Sequence, residues 1–416
     1  MMFEHLFQQP AILTRHREGP LARDRERFLL HCAEQGMTRS SLSWLASELL
    51  MISKRIDVPT DGLITQRQIE AAADQWVRDQ RRRGRSSSSS RSRRRFVQVA
   101  SHWLRFLERL QAPEPNRFVG MEVIQHFMAY MRDERGYSIY TVGGRRKIIE
   151  RFLRAFDVQN RPFSEVRIAD VDNFLESLGK QNWCRTSIAS SARALRSFFR
   201  YAGENGWCAD NIAAGITGPR IFKQEGLAAG PNWDDVERLI RSTCDNTPRD
   251  IRDKAILQLL AIYGLRRGEV CSLRLEDINW MQDRISISRP KQRCTQEYPL
   301  LPSVGEAILC YLQQVRPPSC YREIFLTVRA PFRPLSGDGL YDIVRTRLLA
   351  LGIRTPHYGP HGLRHACAKH MVAQRLSFKE IGDHLGHRSV SATRIYAKVD
   401  VAGLRGVADL SLGGLL

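Results

Sequence analysis

Residues 278–302, INWMQDRISISRPKQRCTQEYPLLP, are where the hydrophobic pattern changes period. Apolar and polar residues alternate there around turn-forming residues, as in a short antiparallel sheet, while the flanking segments repeat their apolar residues at helical spacing. A chain with one such island is expected to be mainly α, with a small sheet in its second half. The helices before it can be read one by one. EVIQHFMAYMRDERG sets Val123, Phe127 and Met131 at helical spacing and stops at Gly136. A second helix, from about 140 to 156, carries Ile148, Ile149, Phe152, Leu153 and Phe156 on one face, and a third opens at Ile168. A fourth, SIASSARALRSFFRYAGENG, ends in a glycine-containing turn, so residues 116–217 form a small all-helical domain.

After Asn211 the composition turns to Gly, Ala and Pro, which reads as an interdomain linker over 218–230. Asn232 before Trp233-Asp234-Asp235 has the pattern of a helix N-cap and opens a domain spanning 231–416. That domain begins with helical DDVERLIRSTC and RDIRDKAILQLLAIYGLRRGEVCSL, passes through the sheet and returns to helices from Val304. Residues 1–115 are an extra helical region. Arg27-Phe28-Leu29 with Gly36 parallels His126-Phe127-Met128 with Gly136; Ile56-Asp57-Val58 parallels Phe156-Asp157-Val158; Trp103 to Phe106 parallels Phe198 to Tyr201. Either this region is a degenerate copy of the helical domain or it is an unrelated helical extension.

Charge narrows the partner. Lys and Arg number 64 against 44 Asp and Glu, a formal charge of +20, and a polyanion is the expected ligand. An anionic membrane would call for a basic amphipathic anchor or a lipidation signal, and a spanning helix for a long apolar run; the sequence shows none of these. MMFEHLFQQP has no signal-peptide core, and nine scattered cysteines lack metal-like spacing, so reduced thiols and a cytoplasmic location are expected. Arg145, Arg146, Lys147, Arg151 and Arg196 are candidate phosphate contacts in the helical domain. RRRGRSSSSSRSRRR, residues 81–95, is a solvated loop or one that also grips phosphates.

Four short motifs carry chemistry. In YGLRRGEV, Glu269 follows Arg266 by three residues, close enough to orient the guanidinium for bidentate phosphate contact, or to make an ordinary surface ion pair. Lys291 is the only lysine among residues 255–322, and unlike the arginines around it can give up a proton as a general acid. In PHGLRHACAKH, His361 and Arg364 share a helix face; zinc is disfavoured because no Glu follows the first His and no third ligand has suitable spacing. In DHLGHRSVSATRIYAKV, Gly386 ends one helix and Tyr396 lies within the next; its phenol becomes a nucleophile only where cations converge on a phosphate. His365, His370 and His384 are assigned to packing.

Taken together and in order, GLRxxE, a hairpin Lys, HxLRH, LGH and a Tyr nine residues later resemble the tyrosine recombinases of the phage integrase family over about residues 117–400. The resemblance implies a SAM-like helical core-binding domain and a mostly helical catalytic domain clamping duplex DNA, with Arg266, Lys291, His361, Arg364 and His387 around the nucleophile Tyr396, and Glu269 in support. It also implies a 3′-phosphotyrosyl intermediate, no ATP or metal cofactor, and a tetrameric synapse of this chain or of related recombinases. The turn RPKQR departs from the family's glycine-rich turn, so the register of Lys291 is the one assignment that rests on its distance to Pro299. The extra amino-terminal region points to service of a mobile element. Two other readings are a helix-turn-helix regulator, for which 378–399 has a passable pattern, and a type IB topoisomerase. The first leaves Arg266, Lys291 and His361 unexplained. The apolar tail, DVAGLRGVADLSLGGLL, is expected to be a short helix that docks on a neighbouring protomer or back on its own.

Overall fold

The computed structural model describes residues 2–57, 62–82, 89–112, 120–157, 161–221, 230–244, 246–289 and 294–386. By contact the chain divides into two units, Met1–Pro113 with Gly226–Leu416, and Glu114–Glu225. The amino-terminal segment holds six helices: α1 (Met2–Leu6), α2 (Pro10–Arg17), α3 (Ala22–Glu34), α4 (Arg39–Ser53), α5 (Gln66–Arg82) and α6 (Ser89–Phe106). They enclose a core of their own around Phe28, Leu49, Ile69, Phe96 and Trp103.

The second unit contains α7 (Met121–Ala129), α8 (Ile139–Asp157), α9 (Ile168–Lys180), α10 (Arg185–Glu204) and the short α11 (Ile212–Gly215). A π-turn over Tyr130–Glu134 extends α7, and Gly136, at φ 62°, then reverses the chain. The face read from the periodicity is the buried one: Phe127, Met131, Ile149, Phe152, Leu153 and Phe156 join Phe198 and Phe199 in one aromatic-rich core. Some of the positions paired across the suspected repeat behave alike, although Leu29 is buried and its counterpart Met128 only partly so. Phe28 and Phe127, Ile56 and Phe156, and Trp103 and Phe198 are all buried, and Gly36 and Gly136 both have positive φ.

In the first unit the chain resumes with α12 (Trp233–Arg241), where the Asn232 side chain accepts a hydrogen bond from the Asp235 amide at 2.7 Å, as an N-cap should. Next come α13 (Pro248–Ile262) and α14 (Arg267–Cys271). The sequence read 249–273 as continuous helix; it breaks after Ile262 because Gly264 takes a left-handed φ of 59°. The island of alternation is a three-stranded antiparallel sheet in the order β1 (Ile278–Asn279), β2 (Arg284–Arg289), β3 (Cys294–Pro299). Ile285 pairs with Tyr298 and Arg289 with Cys294, so Ile285, Ile287 and Arg289 all face inward.

The remaining helices are α15 (Pro302–Gln314), α16 (Gly337–Ala350), α17 (Pro360–Ala373) and α18 (Phe378–Leu385). Helix does not run unbroken from Val304: residues 315–336 are irregular and tied by bridges such as Leu326 to Pro334. One core, from Leu239 through Leu260, Ile287 and Phe325 to Leu363, joins α12–α17 and the sheet, and α18 packs Ile381 and Leu385 on Cys367 and Ala368 in a smaller cluster. Arg347 of α16 is anchored to α13 by ion pairs to Asp250 at 2.6 Å and Asp253 at 2.8 Å. The tail helix expected beyond Asp400, the middle of the linker, most of the turn RPKQR and residues 83–88 of the Arg/Ser run lie outside the described residues.

Candidate functional site

The site is built on the carboxyl end of α18. That helix starts with a reciprocal cap, the Glu380 amide donating to Ser377 Oγ at 3.2 Å and the Ser377 amide to Glu380 Oε2 at 2.8 Å, and it ends at Gly386 in the left-handed region. The last carbonyls of a helix have no partner within it. Here side chains from four other elements supply at least one to each. Gln296 Nε2 donates to Asp383 O at 2.7 Å, and the Tyr298 hydroxyl donates to His384 O. Leu385 O accepts from Arg289 Nη1 at 2.8 Å and from Arg364 Nη2 at 2.7 Å; Gly386 O accepts from Arg266 Nη2 at 2.8 Å. Three guanidiniums therefore meet at two consecutive carbonyls, where the helix dipole also favours positive charge.

Each arginine has its own local reason to be there. Arg266 is the N-cap of α14, and Glu269 at the third helical position binds it twice: Oε2 takes the Arg266 amide at 2.8 Å and Oε1 takes Nη1 at 2.7 Å. This orients the guanidinium as the spacing GLRxxE predicts, and leaves the Arg266 side chain 34% exposed. Arg364 lies in the first turns of α17, 3% exposed, and donates from Nη1 to Gly264 O at 2.6 Å. Gly264 has to be glycine twice over: its φ is positive, and a Cβ would stand 2.4 Å from Leu385 Cδ2. Arg289 closes β2, buried to 1%, with Nη1 3.2 Å from Glu269 Oε1 and Nη2 donating to the Tyr298 hydroxyl.

Glu269 is thus shared by Arg266 and Arg289. Three guanidiniums against one carboxylate leave a net positive pocket, the condition for holding an oxyanion. His361, second residue of α17, is at the surface of this cluster; desolvation by surrounding protein, then the charges of Arg364, His357 and Arg266, hold its pKa below the ordinary histidine value. At neutral pH it is the free-base imidazole, able to accept a proton.

The histidines assigned to packing are packed. His365 is buried beside His361, ring centroids 4.3 Å apart, and burial brings its pKa down to about 4. His370 stacks on Trp233 at 3.8 Å, and His384 sits 3.1 Å from Ile262 O, its ring nitrogen facing the carbonyl. Among the described residues no group of three or more His, Cys, Asp or Glu is arranged to hold a metal ion. Lys291, His387 and Tyr396 lie outside the described residues; the chain reaches Gly386, one residue before His387.

Arg289 and Tyr298 were not singled out from the sequence as site residues. The signal was present: after Ile285 and Ile287, strict alternation puts Arg289 at the third inward position of β2, where an unpaired cation would be costly. In the second unit, Arg146 and Lys147 are exposed on α8, Arg146 pairing with Glu150 at 2.6 Å. Arg145 donates to Ser197 Oγ at 3.0 Å and lies over the Tyr137 ring; Arg151 binds Gln181 and lies over Trp183. Arg196 instead turns inward, its Nε 3.1 Å from Ile216 O, while Arg193 and Arg200 on the same helix are exposed. No described helix is long and apolar enough to cross a membrane.

Residues 232–402 match the phage integrase family model, and residues 124–206 match that of the phage integrase N-terminal SAM-like domain. Integrase/recombinase y4rF of Sinorhizobium fredii is 30% identical over 99% of this chain and 96% of its own. Its namesake y4rA from the same organism is 38% identical over 69% of this chain and 70% of its own. Among solved structures, a lambda integrase dimer bound to a COC′ core site superposes with a TM-score of 0.53 at 17% identity, covering 66% of this chain and 94% of that one, a likeness of fold.

Proposed function

The chain belongs to the phage integrase family of tyrosine recombinases, and on that premise we propose that it cuts and rejoins duplex DNA through a covalent bond between Tyr396 and a backbone phosphate. The observation that carries the proposal is the convergence of Arg266, Arg289 and Arg364 on the end of α18, with Glu269 shared by Arg266 and Arg289. A phosphodiester under attack gains charge on its non-bridging oxygens, and preorganised donors stabilise that charge; loss of one typically costs about 3–4 kcal/mol, or ~10²–10³ in rate.

In this reading the Tyr396 oxygen attacks the phosphorus in line, its proton passing to His361 or water. The bond to the 5′-oxygen breaks, and Lys291 protonates that oxygen as it leaves. Arg266, Arg364 and His387 hold the phosphate. The phosphotyrosyl bond conserves the energy of the phosphodiester, so a 5′-hydroxyl from a second strand can reverse the attack without ATP or a divalent ion. Residues 116–217 act as the core-binding domain, with Arg145, Arg146, Lys147 and Arg151 on phosphates; residues 231–416 are the catalytic domain and 218–230 the linker. Residues 1–115 serve as a further copy of the helical DNA-binding module. The working assembly is a homotetramer on DNA in the cytoplasm, acting for a mobile element.

The test is covalent capture. Wild-type protein is incubated with a pool of nicked duplexes randomised around the nick, and adducts are recovered on a denaturing gel. Adduct from wild type and none from Tyr396→Phe is the expected result. Binding without adduct in both would sink the proposal, and relaxation of any supercoiled plasmid without recombinants would point to the topoisomerase.

A further inference from the structure

We infer that Arg289 is a positioning residue for this reaction: it fixes the segment that leads into His387 and holds the Arg266–Glu269 pair in register with it. The inference rests on the recombinase reading. Arg289 is 1% exposed, against 34% for the Arg266 side chain, and both of its terminal nitrogens are bound within the protein. What it touches is the frame of the site. Its Nη1 spans Leu385 O at 2.8 Å and Glu269 Oε1 at 3.2 Å, and Nη2 donates to the Tyr298 hydroxyl, which donates onward to His384 O.

Through these bonds β2 and β3 grip two successive carbonyls of α18 and also the carboxylate that orients Arg266. The turn that follows is shaped around the same group. Gly386 is at φ 59°, and a Cβ built on it would stand 2.3 Å from Arg289 Cζ and 2.4 Å from Nη1. Gly386 therefore packs directly against the guanidinium, which leaves no room for a side chain at the end of α18. An ordinary buried ion pair would not need this arrangement. Glu269 already has Arg266 as its partner, and a hydrophobic residue would follow Ile285 and Ile287 at the third inward position of β2 with no cation to bury.

The consequence is a separation of rate from binding. Displacing a catalytic group by about 1 Å can cost ~10²-fold in rate. Duplexes recovered by covalent capture on wild type are the probe, with single-turnover adduct formation and duplex affinity measured side by side on the full chain. Arg289→Met is expected to slow adduct formation by ~10–100-fold with the dissociation constant within about threefold of wild type. Arg289→Lys, which keeps a charge at the helix end but lacks the fork, should fall between them. Gly386→Ala should show the same slow-but-bound behaviour, and combining it with Arg289→Met should add little, since both displace one contact.

Wild-type rate in Arg289→Met would overturn the inference. So would parallel loss of rate, affinity and melting temperature in both Arg289 variants, which marks a residue needed only for folding. Failure of wild type to form any adduct would instead refute the recombinase reading, and the two failures are distinct.

Discussion

Gly143 and Gly144 sit side by side within α8, on a stretch where Thr141, Arg146 and Lys147 are exposed. A Cβ at either glycine would find nothing of the described residues within 4 Å, and neither has a positive φ, so nothing among those residues requires glycine there. Glycine in a helix interior costs about 1 kcal/mol relative to alanine. The pair thus costs on the order of 1–2 kcal/mol, allowing for their place in the second turn of the helix. Changing both to alanine should raise the melting transition of this roughly 100-residue domain by about 5–10 °C. If α8 lies against a duplex, the bare backbone is what lets it approach. The same double substitution should then weaken binding to a short duplex at least ~10-fold, a loss of about 1.4 kcal/mol. Calorimetry and a fluorescence anisotropy titration measure the two effects, which have opposite signs. Higher stability with unchanged affinity would refute the placement of α8 on DNA, and lower stability would show a packing role that the geometry denies.

Further outcomes follow from the site and the core. Glu269→Gln removes the charge that Arg266 and Arg289 share and should slow adduct formation with little change in affinity, read by the single-turnover assay. Arg347→Met takes one partner from Asp250 and Asp253, which keep Thr247 and Arg252, and should cost ~1–3 kcal/mol in urea unfolding. Burial alone would raise the Asp250 pKa, but Thr247 and Arg347 together hold it below the usual value; its contribution to stability is present above the unfolded pKa and fades as pH falls through the folded one. His365 and His16, both brought down to about 4 chiefly by burial, act at higher pH. The unfolded chain binds their protons first, so stability should be full above pH 6.5 and decline toward pH 4, by up to about 3 kcal/mol for each. His365→Gln should flatten that slope in unfolding measured at pH 7 and pH 5. DNA affinity should fall steeply with salt, since neutralised phosphates release counterions; a flat dependence would contradict contact through arginines.

The helical periodicity was enough to place the core of the second unit, because Ile149, Phe152, Leu153 and Phe156 recur at spacings that put them on one face of α8. The ion pair of Arg266 with Glu269 was legible for the same local reason: three residues apart at a helix start, they can hardly avoid each other. What could not be read was the part assembled from far along the chain. Nothing local says that Arg289, Arg364 and Arg266 all end on carbonyls of residues 385 and 386, about 20 to 120 positions away. Main-chain acceptors carry no side-chain signature. Arg289 was hidden among other arginines of a basic hairpin, and only its parity with Ile285 and Ile287 marked it as buried. Arg196, a basic residue on a basic helix, reads as surface, and the approach of Ile216 O to its Nε is another contact that no local pattern announces.

The grip on α18 through its carbonyls has an implication for how this protein can change. Backbone oxygens are the same whatever the residue, so Asp383, His384 and Leu385 can be replaced by any helix-compatible side chain that suits its own packing, and the arginines would find the same acceptors. Gly386 is the exception, because the contact there is with the absence of a side chain. Divergence among relatives along this helix would therefore say little about their chemistry, and a single substitution at its end would say a great deal.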